Sequence, residues 1–229
     1  MVKINARPVD FKLGEYISSG FDFMKNNFGS VLGAFLLCML MCIIPFCGLL
    51  AIGNFYRYCR DLRSGKQVSA GDIFNFDQFT PYFILQLILI GGVMLIYIPM
   101  IVIMPSMADR DASAGLPFVF MIYMFVVYIA ILIVCLKGFY MPALISLGGI
   151  TEIKTAWKMS VTMTKGNLLT IFLYSLVVGI LGQLGVIACF IGLIFTLPLV
   201  YVCHYFAYED AMKQVTYDEI QEIGIKNEF

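Results

Sequence analysis

The chain has 229 residues, of which 61% are hydrophobic and only 13% charged, whereas soluble domains carry about 25% charged residues. The formal net charge is zero, so the bulk positive charge expected of a nucleic-acid-binding protein is missing. This composition excludes an ordinary water-soluble globule and predicts a single all-α, polytopic membrane domain over residues 1–229.

The chain opens on "MVKINARPVDFKLGEYISSGFDFMK", which is polar and has no apolar run before Phe28. No cleavable signal peptide is read there, and insertion falls to the first span. Leu13, Tyr16, Ile17, Gly20, Phe21, Met24 and Phe28 recur at three- and four-residue spacing. That pattern predicts an amphipathic helix over 10–27 lying in the membrane interface. Four stretches then lack any charge: 26–56, 78–108, 112–136 and 166–208, with His204 neutral. About 20 residues suffice for one crossing.

Each stretch has its own punctuation. In the first, Pro45 and Gly48 in "CIIPFCG" predict a hairpin over 28–59. Residues 81–136 read as two spans, the first stopped by Pro105 and "SMADRDASAG". Ile153, Ala156, Trp157, Ser160, Val161 and Thr164 predict a second interfacial helix over 151–165. The last stretch, as one helix, would exceed about 60 Å at 1.5 Å per residue. It is therefore expected to be a hairpin over 167–208, turning at "GILGQLG", with a cytoplasmic tail over 209–229. The sum is six transmembrane helices, the first and last pairs as hairpins, plus two interfacial helices.

Lysine and arginine placement orients the chain. With the first stretch as a hairpin, both termini face the cytoplasm and Arg110 alone of the fifteen basic residues lies outside. A single crossing would leave the first four, Lys3, Arg7, Lys12 and Lys25, outside with it. The positive-inside rule favours the hairpin. Re-entrant half-helices would give the same sidedness. An internal echo agrees: "FDFMKNNFGSVLGAFL" and "VTMTKGNLLTIFLYSL" align Lys25 with Lys165 and Asn27 with Asn167.

The segments "GNFYRYCRDLRSGKQVSAGDIFNFDQF", "YMPALISLGG", "AWKMSVTMTKGN" and "GLIFTLPLVYVCHYFAYED" together resemble an uncharacterised group of bacterial six-span integral membrane proteins. That group is related to the membrane domain joined to some glycerophosphodiester phosphodiesterases. The resemblance implies the fold and an inner-membrane home. It implies no activity and brings no catalytic residues.

Candidate sites are few, and each has a plain structural reading beside the functional one. In "RYCRDLRSGK", Arg57, Arg60, Arg63 and Lys66 are expected to contact lipid headgroups or a partner, or else to be solvated topology anchors. Asp61, Asp72 and Asp77 are candidates to pair with these arginines. Trp157, Lys158 and Lys165 form a second candidate headgroup contact. Cys38, Cys42, Cys47, Cys189 and Cys203 could be soft-metal thiolates, but read better as small core residues. The odd total of seven cysteines in the chain, Cys59 and Cys135 included, argues against a disulfide framework. His204, the single histidine, reads as an interfacial anchor near the end of the last span. Gly29 with Gly33, and Gly179, Gly182 and Gly185, are expected to allow close helix contact.

The expected membrane cores hold no Asp, Glu, Lys or Arg, and Asn54 and Gln86 are nearly their only strong polar groups. Ion-coupled transporters and intramembrane proteases place ionisable or catalytic groups at such depths. The expectation is accordingly a non-enzymatic inner-membrane scaffold or accessory subunit, without cofactor or metal. Its partners would be membrane lipids and a membrane protein or second copy, with no nucleic acid. The rival expectation is a lipid-handling or small-solute permease with a groove lined by Asn54, Gln86, Gln183 or the tyrosines.

Overall fold

The computed structural model describes residues 3–4, 6–107, 115–187 and 192–217. Eight α-helices carry the described chain: α1 (Leu13–Cys42), α2 (Gly48–Arg63), α3 (Phe79–Met107), α4 (Gly115–Lys137), α5 (Met141–Ser146), α6 (Ile153–Met163), α7 (Leu168–Ile187) and α8 (Leu193–Val215). A 3-10 helix spans Ala70–Phe74, and a two-residue antiparallel pairing joins Lys3–Ile4 to Thr216–Tyr217. Among the described residues, four segments are long and apolar enough to cross a membrane: Leu13–Cys42, Phe79–Pro99, Pro117–Ser146 and Leu168–Val186.

α1 is one helix with an interruption. Asn27 leaves helical geometry (φ −126°, ψ 25°), and its side-chain amide donates to the Phe23 carbonyl at 3.1 Å. The leg before it buries Tyr16, Gly20, Phe23 and Met24; the leg after it buries Val31, Ala34, Phe35, Cys38 and Met41. Both sets follow the three- and four-residue spacing of a single helix face. The expected helix over 10–27 is thus a leg packed against α8, where Cys203 lies over Gly20.

Residues 43–47 reverse the chain, with Phe46 in the left-handed region at φ 63°. α2 returns antiparallel: the Tyr58 hydroxyl donates to the Ser30 carbonyl at 3.2 Å, and Phe35 meets Phe55 at 5.5 Å. Phe46 rests against Phe83 at 5.3 Å, and Tyr82 fills the space over Gly53. The second half of the echo repeats the plan: α6, a break at residues 164–167 with Gly166 at φ 85°, then α7 and α8. The aligned asparagines Asn27 and Asn167 both fall at the breaks.

The turn expected at residues 179–185 is not there. α7 runs through them to Ile187 and α8 begins at Leu193, with residues 188–191 outside the described chain. The glycines serve approach instead of turning. A Cβ at Gly182 would meet Val200 at 2.8 Å, one at Gly185 would collide with Thr196, and Thr196 donates to the Gly182 carbonyl at 2.8 Å. Gly179, Gly29 and Gly33 face open space, so the close contact expected at those three positions is absent. Gly20 and Gly53 carry it on the first hairpin.

α8 extends to Val215, well into the segment expected as a tail. Its last turns are held to the N-terminal segment. The Tyr16 hydroxyl donates to Asp210 at 2.7 Å, and Gln214 exchanges two hydrogen bonds with the Asp10 backbone, at 2.8 and 3.0 Å. Beside this lies an aromatic hub. Phe11 meets Tyr16 at 5.0 Å and Tyr174 at 5.2 Å, and Phe139 meets Tyr208 at 5.2 Å, all edge to face. Such pairs add about 0.5–1.5 kcal/mol each beyond area burial. α6 closes the hub: the Ser160 hydroxyl donates to the Lys137 carbonyl at 2.7 Å and accepts from the Tyr140 N–H at 3.2 Å.

α3 and α4 are different. After Tyr82, the described part of α3 leaves the hub, and apolar side chains such as Leu95 (71% exposed) stand free. In α4, Phe125 (66%) and Tyr128 (63%) do the same. Tyr123 links the two helices by donating to the Ile96 carbonyl at 3.1 Å.

Candidate lipid- or partner-facing site

The basic stretch that ends α2 forms one wall of a cavity of about 420 Å³. The opposite wall is the loop carrying the 3-10 helix. Asn54 fastens the walls together. It is buried at 2% exposure, and its amide donates to the Ile73 and Asn75 carbonyls, both at 2.7 Å. Its own oxygen accepts from the Arg57 guanidinium at 2.6 Å. A buried amide with donors and acceptor all used is a rigid fixture, since each bond lost there would leave a desolvated polar atom. The loop has its own lock: the Ser69 hydroxyl accepts from Gly71 at 3.3 Å while Asp72 accepts from the Ser69 N–H at 2.9 Å. This is a capping box, legible as "SAGD".

Of the three acids expected to pair with arginines, only Asp61 does so among the described residues. Asp61 accepts from Arg60 at 3.2 Å and from Lys66 at 3.0 Å. Burial alone would raise its carboxyl, but these hydrogen bonds and charges hold it below the usual carboxylate range. Asp72 uses one oxygen on the cap, and Asp77 accepts from the Asn75 amide at 2.9 Å. Among the described residues, Arg57 has no carboxylate within ion-pair distance.

Arg63 leaves this group. It pairs with Glu209 of α8 and lies over the Phe206 ring, 4.7 Å from the centroid, and Lys213 reaches the same Glu209 at 3.0 Å. Sequence spacing had no means of finding Glu209, which is 146 positions away. Trp157, Lys158 and Lys165 belong to a separate face around α6. Trp157 is half-buried over Gly138, while Lys158 and Lys165 are exposed. The seven candidate residues therefore divide into a cavity lining (Arg57, Arg60), a lysine paired to that lining through Asp61 (Lys66), a bridge to α8 (Arg63) and the α6 face.

His204 does not sit as a free anchor. It is half-buried in the hub, its Nδ1 is 2.7 Å from the Val200 carbonyl, and its ring packs on Tyr174 at 5.6 Å. Cys38, Cys47, Cys59 and Cys203 are buried, Cys42 and Cys135 are exposed, and Cys189 lies outside the described residues. Among the described residues no group of three His, Cys, Asp or Glu side chains could hold a metal ion. Gln183 is exposed along an open face of α7, and Asn54 is committed to the cavity wall, so these two do not share a groove with Gln86. A second, apolar groove of about 420 Å³ runs between Phe21, Lys25 and Phe28 of α1 and Phe195 and Leu199 of α8.

No protein-family model, curated protein or solved structure matches the chain.

Proposed function

We propose that the protein is a non-enzymatic scaffold or accessory subunit of the bacterial inner membrane, packing against another membrane protein or a second copy of itself. The observation that carries this reading is the α3–α4 pair. Its described surface is apolar on all sides, and its contacts with the remaining helices are confined to the ends nearest the hub. In a bilayer such a pair is free to meet lipid or protein, and it carries no Asp, Glu, Lys, Arg or His over 79–107 or 115–136. Six helical segments enter the membrane in this reading: the second leg of α1, then α2, α3, α4, α7 and α8. The first leg of α1 and α6 lie toward the cytoplasmic interface, and both termini are cytoplasmic. The distribution of Lys and Arg and the resemblance to the six-span group support it.

Extraction in a mild detergent followed by native mass spectrometry tests the proposal. A stoichiometric membrane-protein partner or a homo-oligomer is expected, and substitutions on the α3–α4 surface should dissolve it. A strictly monomeric, partner-free protein would overturn it. The groove beside Lys25 favours a second reading, a lipid-handling or small-solute permease, because an apolar trough with one amine at its rim suits an amphiphile. Flux or lipid exchange in reconstituted vesicles, abolished by Phe28→Trp, would select that reading.

A further inference from the structure

The α2 cavity carries an inference that goes beyond the scaffold reading and does not depend on it. Its charges are balanced but segregated by how they are used. On the α2 wall, Arg57 is oriented by Asn54 and has no carboxylate partner among the described residues. Its planar fork of donors suits a phosphate better than a point charge would. Arg60 lies one turn on, and its Nε is engaged with Asp61, whose charge Lys66 also offsets. On the loop wall, Asp72 uses one oxygen for the cap, and a carboxylate has about four acceptor positions. The cavity therefore offers an uncommitted cation on one side and a partly committed anion on the other.

A simple anion would meet Asp61, Asp72 and the nearby Asp77 as well as the arginines. A simple cation would meet Arg57 and Arg60. A ligand carrying both signs satisfies both walls. The setting adds a size and a place. About 420 Å³ holds a headgroup-sized molecule, and Phe74 on the cavity lining is exposed, as is Phe76 two residues on. Exposed aromatic rings beside a polar pocket are what a membrane interface accommodates.

We propose that this cavity binds a phosphate-plus-primary-amine zwitterion of the phosphoethanolamine type, the phosphate on Arg57 with Arg60 and the ammonium on Asp72. Two sources share that chemistry: the headgroup of a phosphatidylethanolamine lipid and a soluble phosphoamine.

The test uses the full chain in detergent micelles, titrated calorimetrically with dihexanoyl-phosphatidylethanolamine, dihexanoyl-phosphatidylglycerol, O-phosphoethanolamine and inorganic phosphate. Saturable binding of a phosphoamine is expected, at least about tenfold tighter than phosphatidylglycerol or phosphate. Binding of the lipid alone identifies a membrane source, and equal binding of O-phosphoethanolamine identifies a soluble one. Arg57→Gln and Asp72→Asn should each weaken binding by about tenfold or more. Asn can still cap Ser69, and Arg57→Lys, which keeps the charge and loses the fork, should fall between. Lys158→Gln should bind as the parent does. Equal affinity for phosphatidylglycerol, unchanged binding in both Arg57→Gln and Asp72→Asn with folded thermal transitions, or no saturable binding of any probe would overturn the proposal.

Discussion

The hub and the α3–α4 pair are built from the same residue types and use them in opposite ways. In the hub, Tyr140 and Tyr174 are almost wholly enclosed, and Phe139 meets both rings edge to face. In the pair, Phe125, Tyr128 and Leu95 are mostly exposed. The difference teaches that hydrophobicity alone does not define a core here. The hub is held by shape, including glycines that admit a neighbour. The pair is held by its helical backbone bonds and by whatever surrounds it, as helices in lipid are.

The largest expected effect separates shape from polarity within the hub. Tyr174→Ala should cost about 3–5 kcal/mol, the range for emptying an aromatic site. Tyr174→Phe should change stability by less than about 1 kcal/mol, because its hydroxyl has no protein partner among the described residues. Chemical unfolding in mixed micelles reads both, and a large loss in Tyr174→Phe would show that the hub is polar in function.

The pair should answer to a different insult. Val126→Lys puts a charge on an exposed apolar face and should raise the apparent insertion cost by about 2.5–3 kcal/mol, measured in a translocon-insertion assay. Equal insertion of parent and variant would mean that this face of α4 is not in lipid.

A smaller contrast lies between two glycines. Gly182→Leu must displace Val200 and should cost about 1–3 kcal/mol, whereas Gly33→Leu points into open space and should be close to neutral or slightly stabilising to the helix. Thermal transitions of the two variants rank them, and the reverse order would break the account of the α7–α8 contact.

The smallest effect concerns acid. Asp61 is held below its ordinary value, so the stability it contributes is full above about pH 4 and is lost as pH falls through its lower folded-state value. Asp61→Asn should lower the upper, near-neutral end of the melting-temperature curve and flatten it between about pH 5 and pH 3, leaving the acid end nearly unchanged.

Much of this contrast could be read from residue order, for identifiable reasons. Pro45 and Gly48 lie where the first hairpin turns, because a missing amide proton weakens a helix there, although Pro198 sits inside α8 without ending it. The same reasoning failed at residues 179–185, since glycine permits a turn and also permits contact, and only the partner, Val200, tells which. The cavity was half legible. Arg57 and Arg60 announce themselves, whereas Asp72 was expected beside an arginine and instead closes a capping box with Ser69. Asn54 looked like an isolated polar residue in an apolar run, because the carbonyls it binds, those of Ile73 and Asn75, are backbone atoms that no side-chain pattern marks. Glu209 and Asp210 were assigned to a solvated tail, yet tertiary contact with Arg63 and Tyr16 makes them the ends of two bridges.

The contact between Phe46 and Phe83 has a consequence for how the molecule divides a bilayer. The tip of the first hairpin meets α3 at its second turn, and α3 then continues to Met107, about 36 Å further at 1.5 Å per residue. That remainder alone exceeds the hydrocarbon thickness of about 30 Å. The α1–α2 pair is thus a low shoulder against a tall mast. Placed in a bilayer, a body with that step in height would displace more area from one leaflet than from the other.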